Sequence, residues 1–155
     1  MATGSTIRAH PSALAIVLFL VLTASACGGG AGASGPIASA ACGLGGVANE
    51  TEFGRAFTAM ALEDAAGAPG AEDPDAGVRF PAGTVIVVRA AAAASTAVRL
   101  CVAVRDGSGR IAADVTSAFG PSEPTVELGA FEAGVYVVRV GVGDVLIRNL
   151  PFAIE

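Results

Sequence analysis

Apolar residues recur at every second position along most of the chain after residue 50. Between residues 97 and 105, for example, the even positions hold Val or Leu and the odd positions hold Arg, Cys or Ala. A period of two puts alternate side chains on opposite faces of an extended chain, so it predicts strands with one buried face. The pattern predicts seven strands, at residues 52–62, 84–90, 97–105, 110–117, 125–128, 135–142 and 145–154.

A turn sequence, Asp-Gly-Ser-Gly at 106–109, separates two of these strands and predicts a hairpin. A register that places Val104 opposite Ile111 and Leu100 opposite Val115 puts every apolar residue of the pair on one face. The same register pairs Val102 with Ala113 and Cys101 with Asp114.

The last two strands meet at Gly143-Asp144, which fits a two-residue hairpin turn with Val142 facing Val145. The later apolar residues of this stretch change parity, so a bulge is expected near residues 148–151. Pro151 has no N–H to donate to a neighbouring strand, which predicts a strand at the edge of its sheet.

About seven short strands in about 105 residues are typical of an immunoglobulin-like sandwich. The segment Glu132-Ala133-Gly134-Val135-Tyr136 resembles the tyrosine corner of such domains, with Glu132 in place of the usual Asp. The resemblance implies that the hydroxyl of Tyr136 binds backbone a few residues upstream. We therefore predict an all-β fold, a single immunoglobulin-like antiparallel β-sandwich over residues 49–155.

The start of the chain has a different character. Residues 13–23 are an apolar run of 11 residues, which is too short for a membrane span but suits a signal peptide. The small residues Ala24, Ser25 and Ala26 follow, and then Cys27 and three glycines. This arrangement resembles the signal peptide of a bacterial lipoprotein, although Ala24 stands where that family usually has Leu.

The lipoprotein resemblance implies a signal helix and cleavage site within residues 1–26 and lipidation of Cys27. A Gly/Ala/Ser-rich tether would occupy residues 27–48. The protein would then be anchored to a membrane of the cell envelope, facing the periplasm or the exterior, with inner or outer membrane left open. Residues 24–26 also fit an ordinary secretory cleavage site, and the protein would be secreted if Cys27 is not acylated.

Charge restricts the classes of partner. Arg8 lies in the predicted signal peptide, which leaves eight Arg and no Lys against fourteen Asp and Glu. A net negative domain without an arginine cluster is unsuited to nucleic acid, because phosphate binding needs grouped cations. The face that carries Arg99, Arg105 and Arg110 fits either an acidic partner or local neutralisation by neighbouring carboxylates.

Three cysteines occur, at positions 27, 42 and 101. If Cys27 is lipidated, Cys42 and Cys101 are left to form a disulfide in an oxidising compartment. The alternative is two free thiols that pack as small apolar residues. Because Cys101 falls on the arginine-bearing face of its strand, a bridge from Cys42 would hold the N-terminal segment against the outside of a sheet.

An acidic loop at residues 63–81 is the other candidate site. Asp73 and Asp75 are weak candidates for binding calcium, but their spacing lacks the Asp-x-Asp-x-Asp-Gly pattern, and a solvated acidic loop is the alternative. The only His, His10, lies in the predicted signal peptide, so no nucleophile has a His to activate it. We expect no cofactor and no enzymatic activity.

These features together predict a non-catalytic, lipid-anchored envelope protein. A monomeric immunoglobulin-like module of this kind would present loops or an edge strand to another envelope protein. The alternatives are a passive structural surface lipoprotein and a ligand- or calcium-binding domain that uses loop 63–81.

Overall fold

A computed structural model describes residues 42–155. The predicted signal peptide 1–26, the lipidation residue Cys27 and the first part of the predicted tether lie outside the described residues. The elements are one helix, α1 (Glu50–Ala56), and nine strands: β1 (Phe57–Asp64), β2 (Ala71–Asp73), β3 (Gly77–Phe80), β4 (Val85–Ala92), β5 (Thr96–Val104), β6 (Ile111–Phe119), β7 (Thr125–Ala130), β8 (Gly134–Val142) and β9 (Val145–Ile154).

The strands form two sheets, in the orders β1-β4-β7 and β2-β3-β9-β8-β5-β6. One core lies between them and holds Phe57, Ile86, Leu100, Val138 and Phe152, all nearly fully buried. The chain passes between the sheets from β4 to β5, from β6 to β7 and from β7 to β8, as in immunoglobulin-like sandwiches. The predicted all-β sandwich is confirmed, with nine strands and with one parallel pair, β3 with β9.

The predicted register of the first hairpin is confirmed along most of its length. Leu100 pairs with Val115, and Cys101 pairs with Asp114. Near the turn the prediction is wrong, because a bulge between Val102 and Ala103 sets Ile111 opposite Ala103 and not opposite Val104. Ile111 thus lies on the outer face of the sheet, where its side chain is exposed.

The second hairpin has the predicted Val142–Val145 pair at its turn. The expected bulge is present but lies earlier, since Val140 pairs with Arg148 and Gly141 with Leu146, which leaves Ile147 as the extra residue. Ile147 turns into the core at this point. The sheet therefore keeps one dry face although the parity of the sequence changes.

The prediction that Pro151 marks an edge strand is wrong. β9 lies between β8 and β3, and β2 follows β3 at the border of the sheet. The parallel pairing with β3 starts at Phe152, one residue after Pro151. Gly77 lies against Pro151 at this junction, where an added Cβ would come within 2.6 Å of the Pro151 carbonyl oxygen.

The predicted strand at 52–62 is wrong in its first part, which belongs to the helix α1. Asn49 caps this helix by accepting a hydrogen bond from the Glu52 N–H at 3.1 Å. Acidic residues in the first turn and Arg55 in the last turn complement the helix dipole. The helix packs Phe53 into the core, and the guanidinium of Arg148 lies over that ring at 4.6 Å.

The segment 63–81, expected to be a loop, contains the β2–β3 hairpin. Val78 and Phe80 pack against the core, and the ladder to β9 holds them in place. The sequence hid this hairpin because its strands have three and four residues and its partner β9 is distant in the chain. Residues 42–155 contain no helix with the length and apolarity that a membrane crossing requires.

Candidate functional site

The longest edge strand of the sandwich is β6. This nine-residue strand is at the end of the six-stranded sheet and pairs with β5 alone among the described residues. On an edge strand, every second residue directs its N–H and C=O groups away from the sheet. β6 is therefore a template on which a further strand can pair.

The other three sheet edges are shorter or better protected. β2 has three residues and β7 has six, with Glu127 exposed on β7. β1 has eight residues, and the bridge between Glu63 and Pro69 covers its end. Proteins commonly block strand edges by short length and by charge, so β6 stands out as the unblocked edge.

The one charge on β6 is neutralised within its own sheet. Arg99 of β5 donates two hydrogen bonds to the carboxylate of Asp114, at 2.9 and 2.6 Å. These bonds hold the pKa of Asp114 below its usual value. The prediction that neighbouring carboxylates neutralise the arginines of this face is therefore confirmed for Arg99. Since Asp114 is the one acid on β6, the strand carries no unpaired carboxylate.

The inward side of β6 is incompletely covered. Ala113, Val115 and Ser117 face the opposite sheet but are only half-buried, because that sheet has three strands and ends at β7. Ala113 and Val115 pack against the margin of the main core. A strand added to β6 would cover these side chains and remove their apolar surface from water.

A second feature is the strap, by which we mean residues 42–49. Cys42 forms a disulfide with Cys101 of β5, with their Cα atoms 6.0 Å apart. The bridge lies on the outer face of the six-stranded sheet, as the parity of Cys101 predicts, and not in the main core. Cys42 and Leu44 are buried there in a small cluster with Cys101, Ala103 and Leu146.

Leu44 holds the strap in register on the sheet. Its side chain occupies the space above Gly141 of β8, where an added Cβ would come within 2.5 Å of a Leu44 methyl carbon. Farther along, the Asn49 N–H donates to the carbonyl oxygen of Leu146 at 2.9 Å. The last part of the predicted tether is thus fixed to the domain at Cys42 and Leu44, and the residue that follows it is fixed at Asn49.

Arg139 lies beneath the strap. One of its terminal nitrogens donates to the Leu44 carbonyl oxygen at 2.7 Å, and its Nε is buried without a hydrogen-bond partner among the described residues. Burial lowers the pKa of this guanidinium from its usual value. The strap therefore covers a cation that an open sheet face would leave in water.

Tyr136 makes the contact that its motif implies. The hydroxyl donates to the carbonyl oxygen of Glu132 at 2.8 Å, four residues upstream, and the ring stacks on Phe152 at 5.1 Å. These contacts fix the connection that leads into β8. The role is structural, because the side chain lies almost wholly inside the sandwich.

The two acids considered for calcium differ in their surroundings. Asp73 is buried, and its Oδ1 accepts hydrogen bonds from the N–H groups of Asp75 and Ala76 at 2.8 Å each. Its other oxygen pairs with Arg79, while Asp75 is exposed. Within residues 42–155, no group of three or more His, Cys, Asp or Glu is arranged to hold a metal ion.

A shallow groove of about 500 Å³ lies on the three-stranded sheet. Alanines 61 and 91 form part of its floor, Pro121 and Pro124 form a wall, and the Arg89–Glu63 ion pair lies beside it at 2.5 Å. The carboxylate of that pair is already engaged, so the lining contains no free acid or base placed for chemistry.

Comparisons with known proteins identify no relative of this domain. No protein-family model, no curated protein and no solved structure matches the chain. The function is therefore argued from the residues and their geometry.

Proposed function

We propose that this protein is a non-catalytic, lipid-anchored module of the cell envelope, which binds another envelope protein through the β6 edge. The observation that carries the proposal is the nine-residue edge, open and locally neutral, on a sandwich whose other edges are shorter or covered at one end. Lipidation at Cys27 supplies the anchor, and the Cys42–Cys101 bridge fits an oxidising compartment.

Binding would proceed by strand addition. An extended segment of the partner pairs its backbone with the outward N–H and C=O groups of β6 and so extends the sheet. Its alternate side chains cover Ala113 and Val115 on the inward side, which supplies apolar burial. Backbone pairing provides affinity, and the small side chains of β6 favour a partner with bulkier apolar residues at these positions.

A charged residue on the inward side of β6 tests the binding mode. Ser117 is half-buried opposite Val98, and a Lys in its place reaches water only through the space that an added strand would fill. We expect Ser117→Lys to fold and to lose the partner. Thr125→Lys, on the exposed edge of the other sheet, is the matched control and should bind normally.

The measurement combines crosslinking with hydrogen exchange on detergent-solubilised envelope protein. A photo-crosslinker at Thr116 of β6 should capture a stoichiometric partner that one at Thr125 does not, and the amides of β6 should gain protection in the complex. Capture that survives Ser117→Lys, or protection that spares β6, would overturn strand addition. Failure to recover any partner would favour a passive structural role.

The anchor is tested separately by the intact mass of envelope-extracted protein. We expect a chain that begins at Cys27 and carries acyl groups, because more than one chain is needed for stable anchoring. An unmodified chain lacking residues 1–26 would show ordinary secretion instead and would remove the lipid anchor from the proposal.

A further inference from the structure

We infer that the outer face of the six-stranded sheet, the face that carries the strap, lies against an anionic phospholipid surface when the protein is anchored. This inference rests on the proposed lipidation of Cys27. The outer face is distinct from the β6 edge, and the lipid bilayer is its proposed occupant.

Exposed apolar side chains are concentrated on this face. Among residues 42–155, the large apolar side chains with high exposure are Val47 (93%), Ile111 (37%), Val135 (39%) and Val145 (43%). Val47 belongs to the strap, while Ile111 and Val135 lie on the outer face itself. Apolar side chains at the level of the headgroups are a recurrent means by which a protein surface holds to a bilayer.

The apolar residues of the sheet form a continuous band beside the strap. Ile111 pairs with Ala103, Ala103 pairs with Val137, and Val137 pairs with Pro151. Val135 lies two residues before Val137 on β8 and also faces outward. The band runs across four strands, but Ala103 is fully buried and belongs to the small cluster beneath the strap, against which Val137 packs. Ile111 and Val135 are therefore its exposed members.

Two arginines at this end of the domain are accessible to an anionic surface, and Asp106 and Glu132 lie in the same depression. The Arg105 and Arg110 side chains lie at the end of the band, and neither makes an ion pair within the described part of the chain. Helix α1 and the three-stranded sheet carry an excess of acids: Glu50, Glu52, Glu63, Asp64 and Glu127, against Arg55 and Arg89. A negative lipid surface repels those elements and attracts the arginines.

The chain enters the domain on the same face. The disulfide fixes Cys42 to β5, and Leu44 seats the following residues on β8. Fourteen residues lie between Cys27 and Cys42, and their span is at most about 50 Å in any conformation. The chain therefore enters the domain on the outer face, within about 50 Å of the acyl chains.

Tryptophan fluorescence can test this orientation, because the chain contains no Trp. Full-length acylated protein carrying Val135→Trp is reconstituted into vesicles of phosphatidylglycerol and phosphatidylethanolamine that contain a nitroxide-labelled lipid. We expect the lipid to quench about half or more of its emission, since the ring would lie at headgroup depth. Thr125→Trp, on the other sheet, is the matched control and should be almost unquenched.

A second variant tests the electrostatic part. Arg105→Gln/Arg110→Gln in the Val135→Trp background should reduce the quenching, and added salt should have the same effect. Equal quenching at positions 135 and 125 in acylated protein would overturn this inference and leave the anchor and the β6 edge untouched. A Val135→Trp ring shielded from lipid by a bound protein would also overturn it, whereas an unacylated mass would mark failure of the proposed anchor.

Discussion

At the scale of single residues, the contact between Gly141 and Leu44 decides how the strap is seated. Gly141 has no side chain, and Leu44 fills the resulting space so closely that it is almost fully buried. The Leu44 carbonyl also accepts a hydrogen bond from Arg139. One glycine on β8 therefore supports both the apolar cluster and the covering of a guanidinium.

Gly141→Ala should destabilise the domain. The new methyl group would lie 2.5 Å from a Leu44 carbon, and Leu44 cannot withdraw freely because the disulfide holds the strap. We expect a loss of about 1–3 kcal/mol in the free energy of unfolding, measured by chemical denaturation.

Two further variants make the Gly141→Ala result specific. Gly54→Ala in α1, where nothing lies within 4 Å of the added carbon, should stabilise by about 0.5–1 kcal/mol. Adding Leu44→Ala to Gly141→Ala should show strong non-additivity, since it removes the clash. Additive losses would mean that the two residues do not share a site.

At the scale of elements, the β2–β3 hairpin depends on one buried carboxylate. Asp73 closes the turn through the N–H groups of Asp75 and Ala76, and its ion pair with Arg79 joins the two strands. Arg79 also reaches Glu155 at 2.5 Å, beyond the end of β9. These contacts hold the hairpin at the border of the sheet.

The contacts of Asp73 predict a pH-dependent stability. Hydrogen bonds from Ala76, Asp75 and Arg79 lower the pKa of Asp73 below its usual value near 4. A lowered pKa in the folded state gives stability above that usual value, and the stability is lost as the pH falls through the lowered pKa. The melting temperature of Asp73→Asn should therefore lie below that of the natural protein at pH 7, and the gap should narrow in acid.

Asp75→Asn is the control for this pH dependence. Its side chain is exposed and makes no hydrogen bond or ion pair within residues 42–155. The melting temperature of Asp75→Asn should equal that of the natural protein throughout the pH range of the experiment. A gap for Asp73→Asn that stays constant between about pH 7 and pH 3 would contradict the assignment, because it would not follow the charge of the carboxyl.

Elements with a regular pattern could be predicted from the sequence, and elements with a mixed pattern could not. The alternation of apolar residues in β5 and β6 predicts the Leu100–Val115 pair, because only one register keeps both side chains on the buried face. Phe53 and Phe57 fit a period of two but also the four-residue spacing of a helix. Asn49, with Glu52 three positions later, is a helix-start signal that favours a helix over a strand at this point.

The candidate site was harder to predict, because an edge is a property of the whole sheet. Nothing within β6 shows that β7 leaves it for the other sheet, or that β2 and β3 cover the opposite border. The Cys42–Cys101 pair could be proposed by counting cysteines. The seat of Leu44 on Gly141 could not, because it joins residues 97 positions apart that share no sequence pattern.

At the scale of the whole molecule, the disulfide ties together the first half of residues 42–155. Its cysteines are 59 positions apart, and the ring they close includes α1 and β1 to β4. The restriction of so long a loop in the unfolded chain contributes about 4 kcal/mol on the chain-entropy model.

Cys42→Ala/Cys101→Ala should therefore lower the free energy of unfolding by about 2–5 kcal/mol. Chemical denaturation measures the loss, and the natural protein unfolded under a strong reductant should give nearly the same value. A loss below about 1 kcal/mol would mean that packing of the strap alone restrains the segment.

The placement of this ring also sets an order of assembly. Cys42 precedes Cys101 by 59 positions in the chain, and the floor beneath Leu44 is completed only when Gly141 follows with β8. A chain that stops short of β8 would lack that floor, so Leu44 could not pack as it does in the whole domain. Seating of Leu44 on the sheet thus requires a chain that extends at least as far as β8, whereas the disulfide alone does not.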